Sequence, residues 1–248
     1  MIGLLFSKSA HSNPWLRTDN WLHTDIHSHL LPGIDDGVKT LAEAAALIEQ
    51  FQALGYQKLI TTPHIMMDYY RNTPCIIQER LEELQAYLKQ EGINICIEAA
   101  AEYYMDEGLA EMIKRDDPLL TFGDRYVLVE TAFINRPLNF WEMLFELQVL
   151  GYRPVLAHPE RYAYLQKDLR LLDEIAQRGI LLQVNQIALS GYYGSEAKRL
   201  AKYIIQKKML SFVGSDCHGV RHMQAMQVTH KLKGFQKLAE QPLLNAQL

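Results

Sequence analysis

Residues 24–37 read TDIHSHLLPGIDDG, an apolar run closed by a His-x-His pair, His27 and His29, and followed by adjacent carboxylates at Asp35 and Asp36. Side chains of an extended strand alternate between its faces, so His27 and His29 project to one side and can share one ion. Imidazoles and carboxylates then recur at the ends of later apolar runs. His64 follows KLITT, Glu102 closes INICIEAAAE, Glu130 closes YVLVE, His158 closes PVLAH, and Asp216 and His218 follow LSFVGS. Five histidines and three or four acids gathered in one place would repel one another or be left desolvated unless something bound them, and a divalent metal is the obvious partner. Nitrogen and oxygen donors without a thiolate suit manganese, iron or zinc better than calcium or magnesium. Eight or nine such donors exceed the needs of one ion, so two or three ions sharing bridging carboxylates are expected.

The elements that must bring these residues together are legible as an alternation. Apolar runs at 21–26, 58–62, 93–102, 126–130, 154–158, 180–184 and 210–215 predict seven strands. Stretches of helical period lie between them, for example Leu41, Ala44, Ala45, Ile48, Phe51 and then Ile77, Leu81, Leu84, Leu88. The second opens on Asn72-Thr73-Pro74, a cap followed by proline at the first helical position. Gly55, Gly92, Gly151 and Gly179 stand where helices should end before the next strand. The joints GYQKLITTPH and GYRPVLAHPE resemble one another, weak evidence of a repeated unit. Alternating βα units imply a parallel sheet, and seven of them in one domain predict a closed or nearly closed barrel. No GxGxxG or GxxxxGK[ST] argues for an open doubly wound sheet. A barrel assembles its active site from the C-terminal ends of its strands, which is where the histidines and acids stand.

With 248 residues, 48% of them apolar, the chain can bury a substantial core. A net charge of -4 and the lack of a long basic run make nucleic acid a poor partner. The N-terminal MIGLLFSK is too short an apolar run for a signal-peptide core or a membrane span, so no direct membrane insertion is expected. Cys75, Cys96 and Cys217 form neither a disulfide framework nor a CxxC pair, which fits a reducing cytoplasm. None of the three has an arginine six residues on, as a C-x5-R thiolate loop requires, so Cys217 reads as a small packing residue.

HSHLLPGIDDG, TTPH, AEYY, YVLVE, AHPERY and SDCH, spanning Asp25 to His218, together resemble the polymerase and histidinol phosphatase (PHP) superfamily, and within it the CpsB/CapC type of bacterial protein-tyrosine phosphatase. The resemblance implies an α/β fold, a distorted seven-stranded (βα)7 PHP-type barrel over residues 21–248 preceded by an extension at 1–20, with a trinuclear metal centre. His27, His29, Glu102 and Asp216 would hold the first ion. Glu102 would bridge to a second held by Glu130 and His158, and Asp36, His64 and His218 would hold a third, with Asp35 outside the ligand shell. The implied reaction is phosphomonoester hydrolysis by metal-activated water, dependent on Mn2+, with iron or zinc as alternatives. His218 or Asp36 would supply a proton to the leaving group, and Arg161 would grip phosphoryl oxygens. The expected substrate is a phosphotyrosine protein, such as the tail of a tyrosine kinase of polysaccharide export.

Other readings stay open at this point. A PHP phosphatase of a small molecule such as histidinol phosphate would share these ligands, and a non-catalytic metal-binding module would be marked by a lost ligand, of which there is none. An exonuclease would need a basic groove, which is not visible. Arg221 is a second candidate for phosphate, Asn185 either positions substrate or caps a turn, and His23, His222 and His230 read as surface residues.

Overall fold

The computed structural model describes residues 21–248, so the expected extension at 1–20 lies outside the described residues. The described residues contain strands β1 (Thr24–Asp25), β2 (Lys58–Thr61), β3 (His64–Ile65), β4 (Cys96–Ala99), β5 (Glu102–Tyr104), β6 (Tyr126–Glu130), β7 (Arg153–Leu156), β8 (Leu181–Asn185) and β9 (Leu210–Gly214). The connecting helices are α1 (Leu41–Ala53), α2 (Pro74–Gln90), α3 (Glu107–Lys114), α4 (Phe140–Val149), α5 (Ala163–Lys167), α6 (Leu169–Gln177), α7 (Ser195–Gln206), α8 (Val220–Thr229) and α9 (Lys233–Gln236). Every named strand pairing is parallel, as βα alternation requires.

Seven strands in one barrel are expected; the described residues form nine, in two sheets ordered β1-β2-β4 and β3-β5-β6-β7-β8-β9. The extra strands come from breaks within two of the predicted runs. Pro63 has no N–H to offer a ladder, and at the break Thr62 turns its N–H to Ser28 O at 2.7 Å. The chain then resumes as β3, so the line from Lys58 to Ile65 serves first one sheet and then the other. The line from Cys96 to Tyr104 crosses over in the same way at Ala100-Ala101, where Glu102 N–H donates to Pro63 O at 3.1 Å. His64 and Glu102 therefore begin short strands rather than end long ones, and pair side by side. Beyond β1 the chain runs parallel to the segment after β9, joined by a Ser28–Cys217 bridge. Asp25 fastens the same junction by accepting from Ser215 N–H at 2.7 Å and Ser215 Oγ–H at 2.8 Å.

The helix signals act as their chemistry dictates. Thr73 Oγ1 accepts from Ile76 N–H at the start of α2, with Pro74 in its first turn, while Ile77, Leu81, Leu84 and Leu88 face inward. Gly55, Gly92, Gly151 and Gly179 all take positive φ after α1, α2, α4 and α6, a backbone that side chains with a Cβ resist. The main core packs these helices on the outer strand faces through residues such as Ile48, Phe51, Leu84, Phe140, Leu147 and Ile204. A second apolar cluster gathers Ile26, Ile60, Ala100, Leu128, Val155, Ala157 and Phe212. Leu128 stands two residues before Glu130 on β6, so strand alternation sets the carboxylate on the same face, one step beyond this apolar layer.

Candidate metal centre

The nine predicted ligands converge just beyond that layer. Glu102 is central: its Oε2 lies 3.2 Å from His27 Nε2, 3.4 Å from His29 Nε2 and 3.2 Å from His64 Nδ1, and its Oε1 lies 3.0 Å from His158 Nε2. Asp216 Oδ1 lies 3.5 Å from His27 Nε2 and 3.4 Å from both His29 Nε2 and His218 Nδ1. Glu130 Oε1 is 2.9 Å from His64 Nδ1, and Asp36 Oδ1 is 3.4 Å from His64 Nε2 and 3.3 Å from His218 Nε2. Among the described residues, four groups of donor atoms are close enough to hold an ion: His29, Asp36, His64 and His218; His27, His29 and Asp216; His27, Glu102 and His158; His64, Glu102 and Glu130. This grouping differs from the expected one in placing Glu130 beside His64 rather than His158, whose Nε2 is 3.8 Å from Glu130 Oε2.

Orphaned lone pairs test whether metal fits. Glu102 Oε2 and His64 Nδ1 are buried and make no hydrogen bond despite their close neighbours. His27 Nε2 and His29 Nε2 approach to 3.4 Å. Buried polar atoms left without a partner, as Glu102 Oε2 and His64 Nδ1 are, are costly unless they share a cation. The charge balance agrees. Burial resists ionisation of Glu102 and Asp216, yet the surrounding cationic groups, His27 foremost, together hold both well below the usual carboxylate range. Burial likewise resists protonation of His64, but Glu102 leads the groups that push it up to about 10. A dication would supply the positive charge that protons otherwise provide.

A surrounding set of polar groups aims the ligands. Gln183 Oε1 lies 2.9 Å from His27 Nδ1 and accepts from the His158 N–H at 3.2 Å, which leaves His27 Nε2 for metal. Asp35 Oδ2 does the same for His29 at 2.8 Å, and Asp35 Oδ1 accepts from Gly37 N–H. Asn185, fully buried, donates from Nδ2 to Asp216 Oδ2 at 2.7 Å, so it positions a carboxylate rather than capping a turn. Glu160 accepts from Asn185 N–H at 2.9 Å and is pushed up to about 8 by burial. His158 and Asp216 take positive φ of 33° and 51°, sparsely populated for residues with a Cβ and held here by the surrounding structure.

The centre opens into a cavity of about 770 Å³ lined by Asp36, His64, Glu130, His158, Asp216 and His218, together with Arg161 and the rings of Tyr69, Tyr70, Tyr104 and Phe133. The Arg161 guanidinium lies between the rings of Phe133 and Tyr193, 4.5 and 4.6 Å from their centroids, and donates to Asp216 Oδ2 at 2.8 Å. Arg221 is exposed on the first turn of α8 and does not line this cavity. His23 is exposed as expected, but His222 and His230 correct the surface reading. His222 lines the cavity and accepts from His218 N–H at 3.0 Å, and His230 is buried against Tyr56 and Gln186. Cys217 is buried in the main core, and burial pushes its thiol up to about 12. The sequence reading missed Gln183, Phe133, Tyr70 and Tyr193. Only Gln183 left a signal, as the one polar residue inside ILLQV.

Comparison with known proteins assigns the lineage. The family described as capsular polysaccharide synthesis, CpsB/CapC, matches residues 23–240. CapC of Staphylococcus aureus is 30% identical over 230 residues, 90% of this chain and 89% of that protein. The tyrosine-protein phosphatase YwqE of Bacillus subtilis (strain 168) is 30% identical over 199 residues, 79% of this chain and 78% of its own. Among solved structures, one from a study of YwqE and of CpsB from Streptococcus pneumoniae, described as metal-dependent tyrosine phosphatases, superposes with a TM-score of 0.75 at 26% identity, covering 89% of this chain and 96% of that one. The chain therefore belongs to the CpsB/CapC family.

Proposed function

We propose that this chain is a metal-dependent phosphatase that hydrolyses phosphotyrosine in proteins. The observation that carries the reading is Glu102 Oε2, buried among three imidazoles without a hydrogen bond at the base of a cavity that also holds an arginine. His27, His29, Asp36, His64, Glu102, Glu130, His158, Asp216 and His218 would hold two or three ions, and the mixed nitrogen and oxygen donors suit manganese, iron or zinc. Such ions, when bound, supply Lewis acidity and bring the pKa of a coordinated water near neutrality. The chain's own groups do the rest. Arg161, fixed between two rings, binds phosphoryl oxygens and offsets their charge. His218, or a water held by it and Asp36 at the mouth, delivers whatever proton the leaving oxygen needs.

Several features support a protein substrate over a small molecule. The family is that of phosphatases named for tyrosine-phosphorylated proteins. The mouth is rimmed by exposed Tyr69 and Ile134, suited to an extended segment such as a tyrosine kinase tail. No helix among the described residues is long and apolar enough to cross a membrane, and the proposed setting is the cytoplasm. We read the two sheets, with the Ser28–Cys217 bridge between their ends, as a distorted PHP-type barrel. The test is hydrolysis of a phosphotyrosine peptide against histidinol phosphate, with metal content measured in parallel. Activity should vanish with chelator and return with Mn2+, and the peptide should be preferred. Full turnover after exhaustive metal removal, or preference for histidinol phosphate, overturns the reading.

A further inference from the structure

Two aromatic rings stand over two of the histidines without serving the metal centre. Tyr70 is stacked on His64, with centroids 5.4 Å apart and an interplanar angle of 14°. Phe133 lies over His158 at 5.9 Å and over the Arg161 guanidinium at 4.5 Å. Both line the cavity. Glu130 approaches both histidines, His64 at 2.9 Å and His158 at 3.8 Å, so each ring lies against a histidine that meets the same carboxylate.

Each ring is held by backbone rather than by chance packing. Tyr70 closes a tight loop through two hydrogen bonds, its N–H to Met66 O at 3.0 Å and Met66 N–H to its own O at 2.9 Å. Phe133 O accepts from Ala163 N–H at 2.7 Å, which pins its loop to the start of α5. An exposed aromatic ring, here 41% accessible for Phe133, is not placed over a polar site by core packing. A ligand ring entering between them would gain offset or edge contacts with both.

We propose that Tyr70 and Phe133 are specificity-determining residues that select an aryl phosphate ester by holding its ring between them while the phosphoryl group lies at the carboxylate and imidazole cluster. The inference rests on the phosphatase reading and deepens it: the selected class is the phosphate ester of a phenol, and alkyl phosphates reach the same cluster without this contact. Tyr104 lines the same cavity and adds apolar surface.

The experiment uses the manganese-loaded full chain and compares kcat/KM for phosphotyrosine with that for phosphoserine, in the wild type and in Tyr70→Leu, Phe133→Leu and the double variant. Leucine keeps bulk against His64 and Arg161 and removes the aromatic face. Each single variant should lower the aryl-to-alkyl ratio about tenfold, which corresponds to about 1.4 kcal/mol, with metal content unchanged. The double variant should lower it further, with the loss expressed mainly in KM. A ratio that stays at the wild-type value while both rates fall together would overturn the proposal and make the rings structural. A wild type that hydrolyses neither ester would instead overturn the phosphatase reading.

Discussion

Asp35 Oδ2 stands 2.8 Å from His29 Nδ1, while the next residue, Asp36, turns its carboxylate to His64 and His218. Adjacent acids thus take different duties, one orienting a ligand and the other joining the ligand set. Burial opposes protonation of His29, but Asp35, together with Asp216 and Glu102, pushes that imidazole well above its usual range. Removing a carboxylate that orients a ligating histidine typically weakens metal binding by about 10- to 100-fold. Asp35→Ala should show that loss in a manganese titration, and affinity equal to wild type would place Asp35 outside the centre.

Glu102 and Arg161 should separate metal binding from phosphate binding. Arg161→Ala leaves Asp216 Oδ2 bonded to Asn185 Nδ2 at 2.7 Å, so the carboxylate keeps its orientation. Metal content should stay at the wild-type level while kcat/KM falls by about 2–4 kcal/mol of transition-state stabilisation. Glu102→Ala removes an acid that approaches four histidines and should abolish metal and activity together. Elemental analysis beside an aryl phosphate assay distinguishes the two, and loss of metal in Arg161→Ala would contradict these roles.

The two glycines of LPGIDDG differ in kind. A Cβ on Gly37 would meet His29 O at 2.2 Å and His29 Cβ at 2.6 Å, whereas one on Gly33, whose φ is +75°, would meet Lys39 O at an ordinary 3.9 Å. Gly33→Ala should cost about 1 kcal/mol of stability through its backbone alone and keep its metal. Gly37→Ala must push His29 aside, costing about 1–3 kcal/mol and lowering metal content. Thermal melts with metal analysis test the contrast, and Gly37→Ala at full metal occupancy would contradict it.

Cys217 should be silent towards alkylating agents. With burial holding its thiol at about 12, only about one part in ten thousand is thiolate at pH 8, and the fraction grows only as pH rises toward that value. Iodoacetamide at pH 8 should label exposed Cys75 and Cys96 in the folded chain and leave Cys217 unmodified. Cys217→Ser should keep most of its activity. Complete inactivation with metals still bound would show that the thiol takes part.

Residue type and spacing determined much of this protein. Apolar periodicity located the helices, glycine and proline marked their ends, and the placement of histidines and acids after apolar runs pointed to eight of the nine donors that the structure gathers, Asp36 being chosen over Asp35 through the family resemblance. These features are local, because backbone sterics and side-chain chemistry act within a few residues. The division of the sheet was not local: Thr62-Pro63 and Ala100-Ala101 read as interior or end of a run, and only pairing with neighbours such as β6 decided that β3 and β5 join a second sheet. The same holds for Gln183 beside His27, 156 residues away, and for the rings around Arg161. Which donor faces which depends on distances between segments far apart in the chain, and so Glu130 came to lie 2.9 Å from His64 as well as 3.8 Å from His158. Burial decided the rest, turning His230 into an interior group and leaving Asp36 at the mouth.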